Sequence, residues 1–192
     1  AFAGVTAFLL FIFIGPIIFR KIKELRVSED GLRFGAPSLD KLHQKKKGTP
    51  TMGGLAILFA LLGSTLLWAD MTNPYILLLL TTSIWLGLVG LLDDTLKYVM
   101  KSSKGLAASA KFLGQIIGGT GIALFLYFIP EWERTLTVPF VKDFTLELGL
   151  FYIPFVVIVI VSTSNAVNLT DVLDGLAIGC VIMVALTYSI LA

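Results

Sequence analysis

Apolar residues in this chain come in long blocks separated by short polar segments. Residues 1–19, 52–69, 71–92, 112–130, 148–170 and 175–192 each run 18 residues or more without Asp, Glu, Lys, Arg or His. A helix rises about 1.5 Å per residue, so about 20 such residues cross the roughly 30 Å core of a bilayer. Lipid offers no partner to backbone N–H and C=O groups, so a spanning segment is a helix or part of a closed barrel. The strict apolar–polar alternation of a barrel strand is absent, and runs such as AFLLFIFIG and YILLLL read as helix. The pattern predicts an all-α fold, a polytopic transmembrane bundle with six helices in 192 residues.

Composition narrows the class further. Hydrophobic residues make up 56% of the chain and charged residues only 15%, with a mean hydropathy of +0.90. Soluble domains carry about 25% charged residues, and disordered chains combine low hydrophobicity with high net charge, so both classes are excluded. Cys180 is the one cysteine and His43 the one histidine, which rules out a disulfide framework, a Cys-rich zinc site and a multi-histidine centre within this chain. A net charge of +2 gives no reason to expect nucleic acid. In a signal peptide the basic residues precede the apolar run, whereas Arg20, Lys21, Lys23 and Arg26 follow it. The first block is therefore a membrane helix, and the chain reads as a fragment cut at both ends.

The placement of positive charge orients the bundle, because Lys and Arg are enriched in cytoplasmic loops. Segment 20–51 carries nine of them, segment 93–111 carries Lys97, Lys101, Lys104 and Lys111, and segment 131–147 only Arg134 and Lys142. Six alternating crossings put 20–51, 93–111 and the 165–174 stretch on the cytoplasmic side, with the loops near Asp70 and at 131–147 outside. Segment 131–147 holds two strand-like stretches, TLTVPF and FTLEL, and predicts a short hairpin or an extended lid without a catalytic role.

This topology gathers the polar clusters on one face. Asp93 and Asp94 end the third block in GLVGLLDDTLK; Asn165, Asn168, Asp171 and Asp174 lie in SNAVNLTDVLDGLA; and LHQKKKGTPTMGG leads into the second block. Carboxylates at the edge of hydrocarbon are costly and usually face a watery cavity or one another. Adjacent aspartates point about 100° apart on a helix, so one of the pair can be structural while the other faces inward. The Asn/Asp motif advances three residues at a time, a drift of about 60° per step that covers half a helix. Capping accounts for one or two of those four positions. The lysines before Gly48 serve equally as a topology anchor, as a contact to anionic lipid heads, or as an anion site at a helix N-terminus; Asp70 reads as an interface residue. Four aspartates and several lysines on one face suit a divalent cation and a phosphate-bearing substrate.

Three elements in order, Lys46–Gly54 (KKGTPTMGG), Asp93-Asp94-x-x-Lys97 and Asn165–Ala177, closely resemble the phospho-N-acetylmuramoyl-pentapeptide transferase (MraY) family of the polyprenyl-phosphate sugar-1-phosphate transferases. The chain matches the N-terminal half or so of that ten-helix fold. The resemblance implies a Mg²⁺-dependent phosphoglycosyl transfer in the bacterial inner membrane, with the active site facing the cytoplasm. Phospho-MurNAc-pentapeptide would pass from its UDP-linked donor to undecaprenyl phosphate, giving lipid I and UMP for peptidoglycan synthesis, and through it for cell shape and division. It further implies that Asp93 is the base or acceptor-orienting carboxylate, with Asp94 beside it and Asp174 completing the catalytic set. Lys46, Thr51, Lys97 and Lys111 would position phosphate or substrate, Asn168 and Asp171 would contact the nucleotide side, and Asp171 and Asp174 would sit near the metal. The family's principal metal ligand lies beyond residue 192, and Val172 stands where the family has Gly. A homodimer is compatible with the resemblance. The alternatives are a related UDP-HexNAc transferase, a cation-coupled transporter or a non-catalytic scaffold. The enzyme reading expects Asp93, Asp94, Asp171 and Asp174 to line one cytoplasmic cleft, and the fragment alone to be inactive.

Overall fold

The computed structural model describes residues 2–24, 52–100, 105–129, 132–137, 145–171 and 175–191. Among the described residues six α-helices follow one another: α1 (Phe2–Glu24), α2 (Gly54–Trp68), α3 (Pro74–Met100), α4 (Ala108–Phe128), α5 (Tyr152–Thr170) and α6 (Leu176–Leu191). Between α4 and α5 two three-residue strands pair, β1 (Thr135–Thr137) and β2 (Thr145–Glu147). The fold is all-α, as the blocks predict.

Among the described residues four stretches have the length and apolarity to cross a bilayer: Phe2–Ile22, Pro74–Lys97, Ala108–Phe128 and Gly149–Thr170. The helices α2 and α6 have 15 and 16 residues, which at about 1.5 Å per residue reach less far than a full hydrocarbon core. The third helix is longer than its apolar block. The sequence reading ends it at Asp93 and Asp94, yet α3 runs on to Met100. Lys97 supplies the reason: it pairs with Asp93 four residues back and Asp94 three residues back, the spacings at which helical side chains meet.

The chain forms two compact units, Ala1–Gly114 and Gln115–Ala192. In the first, α1 and α2 run antiparallel along a seam of small residues. Ala56, Ala60 and Ser64, spaced by four, are the buried positions of α2. Ser64 Oγ donates to the Ala3 carbonyl (2.5 Å) and Trp68 Nε1 to Thr6 Oγ1 (2.9 Å). At the same end Phe2 stacks on Trp68 with ring centroids 5.5 Å apart. Small side chains let membrane helices approach closely, the contact that substitutes for a hydrophobic driving force in lipid. The turn into α3 is built by short polar side chains. Asp70 Oδ1 accepts from the backbone N–H and the hydroxyl of Thr72, while Asn73 Oδ1 caps the Tyr75 N–H ahead of Pro74 at the first helical position.

In the second unit, Gln115, Gly119, Ala123 and Leu126 form the buried stripe of α4. A Cβ on Gly119 would be 3.6 Å from the Val157 backbone of α5, an ordinary contact distance. The predicted hairpin is present. Thr135 pairs with Glu147, Leu136 with Leu146 and Thr137 with Thr145, in antiparallel register. Its base is tied to the helices by Trp132 Nε1 donating to Tyr152 Oη (2.6 Å) and by Arg134, which donates to the Tyr127 carbonyl and lies over the Tyr127 ring.

Candidate active site

In the first unit the chemistry concentrates at the end of α3. Asp93 is 7% exposed, and a carboxylate so placed must have its oxygens satisfied. Oδ1 accepts from the backbone N–H of Leu106 at 2.8 Å. Oδ2 lies 2.8 Å from Lys97 Nζ and 3.7 Å from Lys111 Nζ. Residues 105 and 106, just before α4, thus close over the carboxylate, and α4 delivers Lys111 to its far side. Gly105 is required by this approach, since a Cβ there would collide with Asp93 Oδ1.

The neighbouring carboxylate is placed differently. The Asp94 side chain is 41% exposed and its Oδ1 is 3.4 Å from Lys97 Nζ. It lines a groove of about 440 Å³ between α2 and α3, whose wall is otherwise mainly apolar, with Met52, Leu58, Ser83, Gly87 and Gly90 among the lining residues. The two adjacent aspartates have therefore separated into a buried anchor and a groove-facing acid, the division that their roughly 100° offset allows. Lys97 touches both.

Met52, at the groove's end, has φ +67°. That left-handed conformation is uncommon for a residue with a side chain and is found where surroundings enforce it. Its carbonyl and that of Gly53 accept the first helical N–H groups, from Leu55 and Ala56. Of the rest of the basic motif, Lys46 and Thr51 lie outside the described residues, as do His43 and Pro50.

The second unit carries the Asn/Asp motif at the end of α5. Asn168 and Asp171 are exposed there. Asp174 lies outside the described residues, together with Val172. Asn165 behaves otherwise: its Nδ2 donates to Gln115 Oε1 (2.7 Å) and to the Val161 carbonyl (2.8 Å). Gln115 Nε2 in turn donates to Ser164 Oγ (3.0 Å). The sequence reading passed over Gln115, Gly105 and the Leu106 N–H. Gln115 left a signal, as the one amide in the 112–130 block; the other two act through backbone and left none.

Among the described residues no three His, Cys, Asp or Glu side chains come together to hold a metal ion. Asp93 is a poor donor for one, because both its oxygens are already engaged. These residues do not by themselves fit a Mg²⁺ site.

What the arrangement offers is charge control at a polar–apolar boundary. Two ammonium groups are fixed by one buried carboxylate beside an apolar groove, as an anionic head with an apolar tail would require.

Comparison with known proteins agrees with this character. The family model described as glycosyl transferase family 4 matches residues 76–192, and phospho-N-acetylmuramoyl-pentapeptide-transferase signature 1 matches residues 46–58. The phospho-N-acetylmuramoyl-pentapeptide-transferase of Desulforapulum autotrophicum is 46% identical over 191 residues, covering 100% of this chain and 52% of the relative. The protein of the same name from Desulfotalea psychrophila is 45% identical over 190 residues, covering 99% and 52%. That of Citrifermentans bemidjiense is 44% identical over 187 residues, covering 97% and 51%. The chain spans about half the length of the curated relatives it matches.

Proposed function

The chain belongs to glycosyl transferase family 4, and from that premise we propose that it carries part of the active site of a phospho-MurNAc-pentapeptide transferase. The donor is UDP-MurNAc-pentapeptide and the acceptor undecaprenyl phosphate. An oxygen of the acceptor phosphate attacks the sugar-bearing phosphorus of the donor, the bond from that phosphorus to the bridging oxygen of the diphosphate breaks, and UMP leaves with the bridging oxygen and the electron pair of the broken bond. Lipid I is the other product. The reaction takes place at the cytoplasmic face of the bacterial inner membrane, the side assigned by the Lys and Arg count.

The observation that carries this reading is the fixing of Lys97 and Lys111 by buried Asp93 next to an apolar groove. Phosphoryl transfer needs positioning and charge neutralisation more than covalent help. A phosphate monoester has a second pKa of about 6, so the acceptor is already largely ionised at neutral pH and needs little from a base. Asp93 then acts by holding the two ammonium groups at the phosphates, and Asp94 by facing the acceptor in the groove. Asn168 and Asp171 serve the nucleotide, with Lys46, Thr51 and Asp174 as further contacts. The groove has the character that an isoprenoid tail needs. Mg²⁺ is proposed as the cofactor of the complete protein, where it would supply electrostatic neutralisation of the phosphates with ligands from outside the described residues.

The test is UMP release by the complete protein in liposomes, given UDP-MurNAc-pentapeptide and undecaprenyl phosphate, with and without Mg²⁺. Metal-dependent UMP release supports the transfer. Turnover of UDP-HexNAc donors instead would favour the related transferases, and cation uptake without UMP would favour a transporter.

A further inference from the structure

Gln115 is the largest fully buried side chain among the described residues, 1% exposed, and lies within a membrane-length helix. A primary amide in such a place is costly unless both of its ends are used. Both are. The Val161 carbonyl can only accept, so it fixes which end of the Asn165 amide is nitrogen. That nitrogen donates to Gln115 Oε1, which leaves Gln115 Nε2 to donate to the Ser164 hydroxyl. The network has one self-consistent orientation, and it grips two consecutive residues of α5, about 100° apart around the helix. A helix held at two such points cannot turn about its own axis.

Asn168 follows on the same helix, about 60° around from Asn165, and Asp171 is the residue that caps its C-terminal end. We propose that Gln115 is a positioning residue that sets the rotation of α5 and thereby the aim of Asn168 and Asp171. The first Asn of the motif is on this view an anchor, which is why it is drawn into the network while Asn168 and Asp171 stay exposed. That these two residues serve the nucleotide donor rests on the function proposed above; the rotational lock does not.

The experiment uses the complete protein in liposomes, with every native cysteine, Cys180 among them, replaced by Ser. Single cysteines are introduced as Asn168→Cys and Leu169→Cys, and the ratio of their labelling rates by an aqueous maleimide is measured. Gln115→Met, which keeps the volume and removes the amide, is expected to change that ratio by about twofold or more, because rotation moves adjacent positions between environments. Gln115→Glu, which can still accept from Asn165 and Ser164, is expected to bring it back toward the wild-type value. In the otherwise native protein, Gln115→Met is expected to raise KM for the nucleotide donor about tenfold with the lipid-acceptor KM little changed. A ratio that moves less than twofold in Gln115→Met overturns the proposal. If that variant does not fold, Ser164→Ala is read by the same criterion. A wild-type protein that releases no UMP would sink the proposed function and leave the labelling result to decide on the lock alone.

Discussion

Gly105 and Asp93 approach so closely that no side chain fits between them. A Cβ at residue 105 would stand 2.9 Å from the Asp93 carbonyl oxygen and 2.8 Å from Lys97 Cγ, besides colliding with Asp93 Oδ1. The carboxylate and the lysine that it holds are thus both pinned by one missing methyl group.

Gly105→Ala should therefore act on catalysis more than on folding. The clash pushes Asp93 and Lys97 off position without removing a charge, and a misplacement of about 1 Å can cost about 10²-fold in rate. The expected outcome is a loss of tenfold to a hundredfold in initial UMP release, order of magnitude, with helix content by circular dichroism unchanged. Wild-type turnover in this variant would show that the cluster has slack and that its geometry does not matter.

The two aspartates should respond differently to the same change. Asp93→Asn removes the charge that two lysines share, leaving Lys111 without this partner and Lys97 with only its longer contact to Asp94; breaking a buried pair costs about 3–5 kcal/mol, and the lysines' partial exposure reduces it here. A clear fall in melting temperature should accompany its loss of activity. Asp94→Asn, at a half-exposed position with one long contact to Lys97, should melt close to wild type while still losing turnover. Equal melting temperatures for the two variants would contradict the division into anchor and groove-facing acid.

Asp70 gives a pH-dependent check away from the site. Hydrogen bonds from the Thr72 hydroxyl and backbone hold its carboxyl below the ordinary carboxylate range. A depressed folded pKa contributes stability above the unfolded value, near 3.9, and loses it as pH falls through the folded value. Asp70→Asn should therefore lower the melting temperature slightly at pH 7, and the difference from wild type should shrink as pH falls through the depressed folded value. A difference that grows on acidification would have the wrong sign.

Much of the fold was legible in the blocks, because a run of apolar residues long enough for the bilayer has few alternatives to a helix. The end of α3 was not. Asp93 and Asp94 break the apolar run, and only the later arrival of Lys97 on the same face shows why the helix continues to Met100. The site was legible as residue types and unreadable as roles. Adjacent aspartates are identical in sequence, and what separates Asp93 from Asp94 is the Leu106 N–H and Lys111, thirteen and eighteen residues onward. Asn165 likewise looked like one member of a four-residue motif until Gln115 was seen to hold it. Long-range partners decide such roles, and spacing within a motif carries no information about them.

The groove between α2 and α3 allows the acceptor's tail to be tested apart from its phosphate. Gly87 and Gly90 both line it, but they are not equivalent. A Cβ on Gly87 would come within 2.6 Å of Leu58 Cδ2, so a larger residue there disturbs the packing of α2 on α3. A Cβ on Gly90 would meet nothing within 4 Å. A side chain at residue 90 therefore starts in open space, and the volume that Gly90→Leu occupies is no longer available to an isoprenoid chain. Gly also costs about 1 kcal/mol relative to Ala in a helix interior, so the substitution carries no propensity penalty. The expected result is a KM for undecaprenyl phosphate raised about tenfold, the size of effect that losing one or two buried methylene contacts produces. The KM for UDP-MurNAc-pentapeptide should stay within about twofold, since nothing at the phosphates has moved. A short-chain prenyl phosphate, which reaches less far along the groove, should be affected less than the full-length acceptor. If Gly90→Leu leaves both KM values and the chain-length preference unchanged, the tail does not lie between α2 and α3.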